Sequence, residues 1–549
     1  MVAENNIKTF TGAKAIIETL KNLGVDTIFG YPGGVVLDLY DELYKQSEIK
    51  HILVRHEQSA VHAAEGYARA TGKCGVVLVT SGPGATNTVS GIVNAYLDGY
   101  PLVVLTGQVF KNLIGKDSFQ EADICDITKT CTKRVFQISD PADISRTLVE
   151  AFEIANSGKK GPVVVDLVRD IFSARIGADF EAMFDSSSVE EKNILEASET
   201  SRILEKILKS SKPVVVSGGG VTHSKAEKEL YRFVKSLDIP VVDTMMGLGT
   251  YPQNDVNYFG MIGIFGDKAA NQIIKEADLI ISLGARFNDR VTCMFKEIDL
   301  SSKFIQIDIN KSEISRVIRA ADFICADTKV VLSLFNQLLE SSQYEKFSGW
   351  LKTAEALKSL NIERKRQTNL MHSFEVIQKI NDFTKNMNLV FTSEVGQHQL
   401  WAVQNLTFNE YRKIFVSGGA GTMGFGFPAA IGAAIANPDI PVVCITGDGS
   451  FQMGVQELAT CVDNNLNIKI MVLNNGYLGM VRQLQEKSCE GRYSQTKISN
   501  PDFVKLAQSY GLNAMEVSSV ADIDEALKRA FSTNETFIID FRVEPMEML

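Results

Sequence analysis

Gly447-Asp448-Gly449-Ser450 and, 27 residues beyond Asp448, the pair Asn474-Asn475 are the residues of this chain best suited to chemistry. Each follows an apolar run, Val442 to Ile445 and Ile468 to Leu473, of the kind that forms a buried parallel strand. Both pairs therefore fall at strand C-terminal ends, where open α/β sheets bind ligands. One Asp carboxylate, one Asn carboxamide and a nearby backbone carbonyl make an all-oxygen set. That set suits Mg²⁺, which takes few protein ligands and completes its shell with water and phosphate oxygens. Gly449 lets a phosphate approach the backbone, and a helix opening near Ser450 would offer its N-terminus to the anion. The chemistry is that of a metal diphosphate. Two ordinary strand-end turns are the plainer alternative.

The same spacing is the thiamin diphosphate signature. Thiamin is activated when a carboxylic acid hydrogen-bonds N1′ of its aminopyrimidine, so that the 4′-imino tautomer can remove the C2 proton. The cofactor supplies the carbanion chemistry and the protein supplies the acid. Arg55-His56-Glu57-Gln58-Ser59-Ala60 lies between a short strand, His51 to Val54, and a small-residue helix, Ala60 to Ala70. Glu57 thus sits at a strand-to-helix junction, a usual place for a catalytic side chain in such sheets. Taken alone it would be a helix-start carboxylate stabilised by the dipole. Beside a diphosphate signature it reads as the acid.

The elements that position these residues alternate strand and helix along three blocks. Domains are expected over 1–185, 190–345 and 365–549, each an α/β layer with a mainly parallel sheet flanked by helices. Strands are predicted at Thr27 to Phe29, Gly75 to Thr80, Leu102 to Thr106 and Pro162 to Leu167 in the first block, with Pro213 to Ser217, Leu279 to Leu283 and Phe304 to Ile309 in the second. A polar connector is expected near Ala174 to Thr200, with Ser186-Ser187-Ser188, and a helical, charged connector near Glu340 to Thr368. A chain of 549 residues accommodates three such cores. A net charge of −10 without a basic block argues against nucleic acid and anionic membranes as partners. The absence of a signal-like start or a membrane-length apolar run implies a cytoplasmic protein. Eight scattered cysteines without ligand-like spacing read as reduced packing residues.

The chain resembles the large, catalytic subunit of acetohydroxyacid synthase, also called acetolactate synthase. The resemblance runs through Gly30-Tyr31-Pro32-Gly33-Gly34, Arg55-His56-Glu57, Thr80 to Asn87, Phe119-Gln120-Glu121, Gly284 to Val291, Val395 to Gln399 and Ser417 to Gly424. Such enzymes decarboxylate pyruvate on thiamin diphosphate and add the hydroxyethyl carbanion to a second 2-oxo acid. The resemblance implies that Glu57 activates the aminopyrimidine, and that Asp448, Asn475 and the carbonyl of Tyr477 hold Mg²⁺. Pro32, Gly33, Val395, Gly396, Gln397, His398, Gly421, Gly449 and Ser450 would contact the cofactor, with Met423 beneath the thiamin. Phe119, Gln120, Met480 and Leu484 would face the reacting centre, and Arg290 would hold the acceptor's carboxylate, as a guanidinium fork suits. For Arg290 the alternative is a surface ion pair with Asp289.

Ser217-Gly218-Gly219-Gly220-Val221 follows a strand and could cradle phosphate through backbone N–H groups, although it lacks the GxGxxG fingerprint. The family binds FAD there, which implies contacts from Gly218, Gly219, Gly220, Met246, Gly247, Gly284, Arg286 and Asp308. Departures gather around the expected substrate entrance. Gln483-Leu484-Gln485 has Leu where the family usually has Trp, Phe110 replaces a usual Pro, and Ile264-Phe265 replace a usual Met-His. The Trp favours 2-oxobutyrate as acceptor, so Leu484 implies that pyruvate competes well and acetolactate dominates. Family members commonly continue past the position of Leu549 into a Pro-rich tail. A related thiamin-dependent decarboxylase or carboligase with another donor or acceptor is the alternative enzyme reading. A cofactor-binding scaffold is the non-enzymatic one. The family also implies a homodimer at least, with a tetramer and a small regulatory subunit as further partners.

Overall fold

The computed structural model describes residues 9–177, 197–361, 364–366, 368–409 and 412–549. Strands β1 to β8 are Thr9–Thr11, Thr27–Tyr31, Lys50–Leu53, Gly75–Val79, Leu102–Gln108, Arg134–Ile138, Pro162–Val168 and Arg175–Gly177. Six of them form a parallel sheet in the order β3-β2-β4-β5-β7-β6, and β1 pairs antiparallel with β8. Strands β9 to β14 are Pro213–Ser217, Val241–Asp243, Tyr258–Met261, Leu279–Leu283, Phe304–Ile307 and Asp322–Ile324. They make a second parallel sheet, β11-β10-β9-β12-β13-β14. Strands β15 to β20 are Leu389–Ser393, Arg412–Val416, Val442–Gly447, Ile468–Asn474, Asn513–Val517 and Phe537–Arg542, in the order β16-β15-β17-β18-β20-β19.

The first and third sheets share one topology, second-first-third-fourth-sixth-fifth in their own chain order. The middle sheet runs third-second-first-fourth-fifth-sixth, the dinucleotide-binding arrangement. Its strand order reverses between β9 and β12. Gly218 follows β9 and Gly284 follows β12, so both stand at the switch point.

Every strand expected from an apolar run is present, within two residues at its ends. Central strands β5, β7 and β18 are buried at every position, because helices cover both sheet faces. The strands that apolar runs did not mark include the edges β6 and β19, whose mixed sequences leave only one residue of five fully buried. The described ends of the first expected connector are ordered. Arg175–Gly177 is drawn into β8 by pairing with β1, and a helix begins at Ala197. Ser186-Ser187-Ser188 lies outside the described residues. Among those residues, no helix is long and apolar enough to cross a membrane.

The first and third domains meet through two helices, Glu57–Thr71 and Gly426–Ala436. Both are rich in Ala and Gly, and both are buried over most of their length. Small side chains let the backbones touch. A Cβ on Gly66 would overlap the Ala429 carbonyl, and one on Gly432 would overlap the Ala63 carbonyl. Their residues belong to one apolar core with Val77, Val104, Val442 and Ile470 from the two sheets. Gly432→Ala is expected to lower stability by about 1–3 kcal/mol or more through overpacking. Gly349→Ala, at a helical site with nothing within 4 Å of the new methyl, should be neutral or stabilising. Paired thermal or urea melts check the contrast.

Candidate active site

Asp448 opens a one-turn helix at the end of β17, and Asn474-Asn475 ends β18, its parallel neighbour. Gly447 pairs with Leu473 in that ladder, so the two motifs reach the same sheet edge together. Asp448 Oδ2 accepts from the Gly476 amide at 2.9 Å and from Asn500 Nδ2 at 2.7 Å. Asn500 Nδ2 is also 3.0 Å from Asn474 Oδ1, and Asn474 donates to Asp540. Asn475 Oδ1 accepts from the Tyr477 amide at 3.0 Å. Burial raises the Asp448 carboxyl above its ordinary range, against the hydrogen bonds from Asn500 and Gly476 that favour its charge. A divalent cation would offset that burial. Asp448, Asn475 and the Tyr477 carbonyl therefore fit a magnesium ion in donor type.

Val395 and Gly396 follow β15 and lead into the helix Gln397–Asn405. His398 is buried, and burial lowers its imidazole to about 4, so the ring is neutral. His398 Nε2 and Gln399 Nε2 are buried without a hydrogen-bond partner among the described residues. The unpartnered Gln399 amide nitrogen is a donor, and with Gly396 on the same cavity wall it fits an anionic ligand. Gln397 is engaged elsewhere, its Nε2 donating to Gln483 Oε1 and the Glu547 carbonyl. Glu394 precedes this segment, wholly buried, with one oxygen accepting from the Thr446 hydroxyl and the other without a hydrogen-bond partner among the described residues. Burial pushes its carboxyl up to about 7.

A cavity of about 610 Å³ runs from this segment into the middle domain. Val395, Gly396, Gly421, Met480 and Leu484 line one end, and Gly219, Gly220, Gly284 and Asp308 the other. Met246, Arg286 and Arg290 lie along it. Its size suits a ligand of cofactor dimensions. The glycine stretch is built differently from a simple phosphate cradle. Gly218 does not line the cavity; its N–H donates to the Leu283 carbonyl, and the Gly220 N–H donates to the Gly284 carbonyl. Side chains at Gly218 or Gly220 would strike the Gly284–Ala285 backbone. These glycines let the loops after β9 and β12 pack together and form the cavity wall. Arg290 is exposed, with its guanidinium 3.8 Å from Asp289, and so combines the expected cavity position with the ion pair.

A second group of site residues lies on the first domain, away from that cavity. Glu57 is the first residue of its helix, and its carboxylate accepts from Asn87 Nδ2 at 2.9 Å. Gly33 and Gly84 both pack on Thr80, and a Cβ on Gly84 would stand 3.4 Å from Glu57 Oε1. Gly82, at φ +58°, packs on the backbone of Gln120, itself at φ 59°. Pro32 is exposed and Phe119 is 89% exposed. None of Glu57, Pro32, Gly33, Phe119 or Gln120 lines the cavity in the same chain.

Residues 10–127, 200–335 and 394–541 match the N-terminal TPP binding, central and C-terminal TPP binding domains of the thiamine pyrophosphate enzymes. The chain is 40% identical to the acetolactate synthase large subunit of Haemophilus influenzae, over 98% of this chain and 96% of that one. The chain belongs to the acetolactate synthase large-subunit family. Similar likeness extends to a probable acetolactate synthase large subunit of Methanocaldococcus jannaschii, 42% identical over 98% and 93% of the two chains. It extends also to the large subunit of Lactococcus lactis, 40% identical over 98% and 94%. Membership in this family makes the chain a thiamin diphosphate-dependent, carbon–carbon bond-forming enzyme.

Asn500, Glu394, Asp98 and Glu457 were not picked out by the sequence. Asn500 stands in a polar loop 25 residues after Asn475, with no strand end to mark it. Asp98 ends a helix, yet its carboxylate accepts from the Gly418 and Gly419 amides on the cavity wall, at 3.1 and 2.7 Å. The Glu394 carboxyl sets a measurable pH dependence. Folded, it keeps its proton up to about pH 7; unfolded, it loses it near the ordinary value of 4.5. Its contribution to stability is therefore full below about pH 4.5 and falls as pH rises to about 7, by roughly 3 kcal/mol. Glu394→Gln, which is never charged, should narrow the gap between melting midpoints measured at about pH 5 and about pH 8. An unchanged gap would rule out Glu394 as the group.

Proposed function

We propose that this chain is the catalytic subunit of an acetolactate synthase, joining two pyruvates with loss of CO₂. The observation that carries the reading is the oxygen set of Asp448, held by Asn500, and of Asn475, whose Oδ1 accepts from the Tyr477 amide, in a chain that also presents Glu57 at a helix start. Bound thiamin diphosphate would supply a nucleophilic carbon at C2. Asp448, Asn475 and the Tyr477 carbonyl would hold Mg²⁺ against its diphosphate, with His398, Gly449 and Ser450 nearby. Glu57 would place its proton on N1′. Arg290 would pair with the carboxylate of the acceptor at the cavity mouth. Met423, Met480 and Leu484 would supply apolar surface that excludes water from the reacting carbon.

FAD is the proposed occupant of the middle-domain end of the cavity. Support comes from the sheet's dinucleotide-binding order and from Arg286, Met246, Gly219 and Asp308 along one wall. Phe265 lines the cavity where a His is usual, leaving an apolar contact there.

A homodimer is proposed as the smallest active unit. Glu57, Phe119 and Gln120 do not line their own chain's cavity, and Phe119 is almost fully exposed. They would complete the site of a second copy. A tetramer and a small regulatory subunit extend this proposal; relatives are named large subunits. Boundaries near 1–185, 190–345 and 365–549, a cytoplasmic setting and a role in branched-chain amino acid biosynthesis complete the reading.

Purified protein with thiamin diphosphate, Mg²⁺ and FAD should form acetolactate from pyruvate. Glu57→Gln should lower that rate by about 10²-fold or more, as loss of an acid–base group does. Pyruvate consumed without acetolactate would favour a different acceptor. In competition assays the wild-type chain should use pyruvate readily beside 2-oxobutyrate. Leu484→Trp should move the preference toward 2-oxobutyrate about tenfold, the worth of one methylene in an apolar pocket. A strong wild-type preference for 2-oxobutyrate would refute the role given to Leu484.

A further inference from the structure

Glu57 needs a fixed seat, because an acid displaced by about 1 Å loses much of its effect. Its side chain has one anchor within its own domain, Asn87. Its backbone is anchored from elsewhere. The Arg55 amide lies 3.0 and 3.1 Å from the two carboxylate oxygens of Glu457. The Ser59 hydroxyl stands close enough to the same carboxylate to favour its charged form. Arg55 and Ser59 stand two residues before and two residues after Glu57. Thr460 Oγ1 is 2.7 Å from Glu457 Oε2 and 3.1 Å from the Leu53 carbonyl, the last residue of β3. Glu457 itself is fully buried.

A buried carboxylate costs several kcal/mol of desolvation, and an apolar residue would glue two domains with less expense. The contacts of Glu457 bracket one catalytic residue instead. Glu457 also lies in the third domain, nine residues after Asp448 and on the segment leaving the diphosphate motif. We propose that Glu457 is a positioning residue: from the diphosphate domain it grips the backbone just before Glu57 through the Arg55 amide, with the Ser59 side chain close by on the other side, and so sets where the acid carboxyl stands. The inference rests on the reading of Glu57 as the acid that activates thiamin. The exposed pair Arg55–Asp463, 2.6 Å apart, crosses the same junction but contributes little in water.

The test uses the full chain with thiamin diphosphate and Mg²⁺ and follows exchange of the C2 proton for deuterium by acid quench and proton NMR. This reads activation of the cofactor without any substrate. Glu457→Gln keeps the size and one acceptor but loses the two-oxygen grip. Its exchange should slow about tenfold to hundredfold, while thiamin diphosphate affinity stays within about twofold of wild type. Exchange within about twofold of wild type overturns the proposal. So does slower exchange fully explained by weaker cofactor binding. Should Glu457→Gln fail to fold, Ser59→Ala and Thr460→Val decide. Exchange slowed about threefold or more in either supports the role, and wild-type exchange in both removes it. Glu57→Gln is the control. Exchange unaffected in Glu57→Gln would overturn the acid reading and this proposal together. Exchange slowed in Glu57→Gln but not in the Glu457 variant overturns this proposal alone.

Discussion

The crossing of the helices Glu57–Thr71 and Gly426–Ala436 is the constraint on which the site depends. Gly66 lies on the Ala429 carbonyl and Gly432 on the Ala63 carbonyl, so the two backbones have no room to slide. One of these helices begins with Glu57. The other follows the Gly421–Gly424 turn, which carries Met423 and forms part of the cavity wall. Further along the first helix, Glu65 and Arg69 form a buried pair, and Arg69 Nη2 also reaches Asp98 at 2.7 Å. Asp98 then holds the Gly418 and Gly419 amides. Asn94 does the same for the Ser417 and Thr422 side chains. Packing between two small-residue helices is thereby converted into fixed positions for loops at both ends.

Charge is handled by burial more than by pairing. Asp448, Glu394, Glu457 and Asp308 all have carboxyls raised above their ordinary range by desolvation. His398 and His223 are held neutral by the same cause. A low-dielectric site of this kind strengthens every remaining interaction with an anionic ligand or a cation. It also makes each buried group answerable for its partners, which is why Asn500, Thr446 and the backbone amides of Gly476 and Arg55 stand where they do.

The chain displayed its architecture and its chemistry unequally. Apolar runs such as Val442 to Ile445 marked the central strands because both sheet faces are covered, and Asp448, Asn475 and Glu57 could be read because strand ends and helix starts frame them. Edge strands such as Arg134–Ile138 were hidden, since half-exposed positions carry polar residues. Asn500, Asp98 and Glu457 were hidden for another reason. Each acts through contacts across long sequence separations, Glu457 on Arg55 and Asp98 on Gly418, which no local spacing encodes. The glycines at 218 and 220 drew notice as a phosphate loop, whereas their main demand comes from a neighbouring backbone.

The close crossing has a consequence for how the protein is made. The apolar face of Ala60, Ala64 and Ala68 is completed by Phe425, Ala430 and Ala433, which lie far downstream. About 250 residues lie between the end of the first domain at Gly177 and the second helix at Gly426, and at ribosomal speeds of roughly 5–20 residues per second their synthesis takes about 12–50 s. Throughout that interval the first domain must wait with one side of its core bare. A nascent chain of this protein is therefore exposed to aggregation for longer than its domain size alone would suggest, and the smallness of the waiting side chains, mostly alanine, limits how adhesive that bare face is.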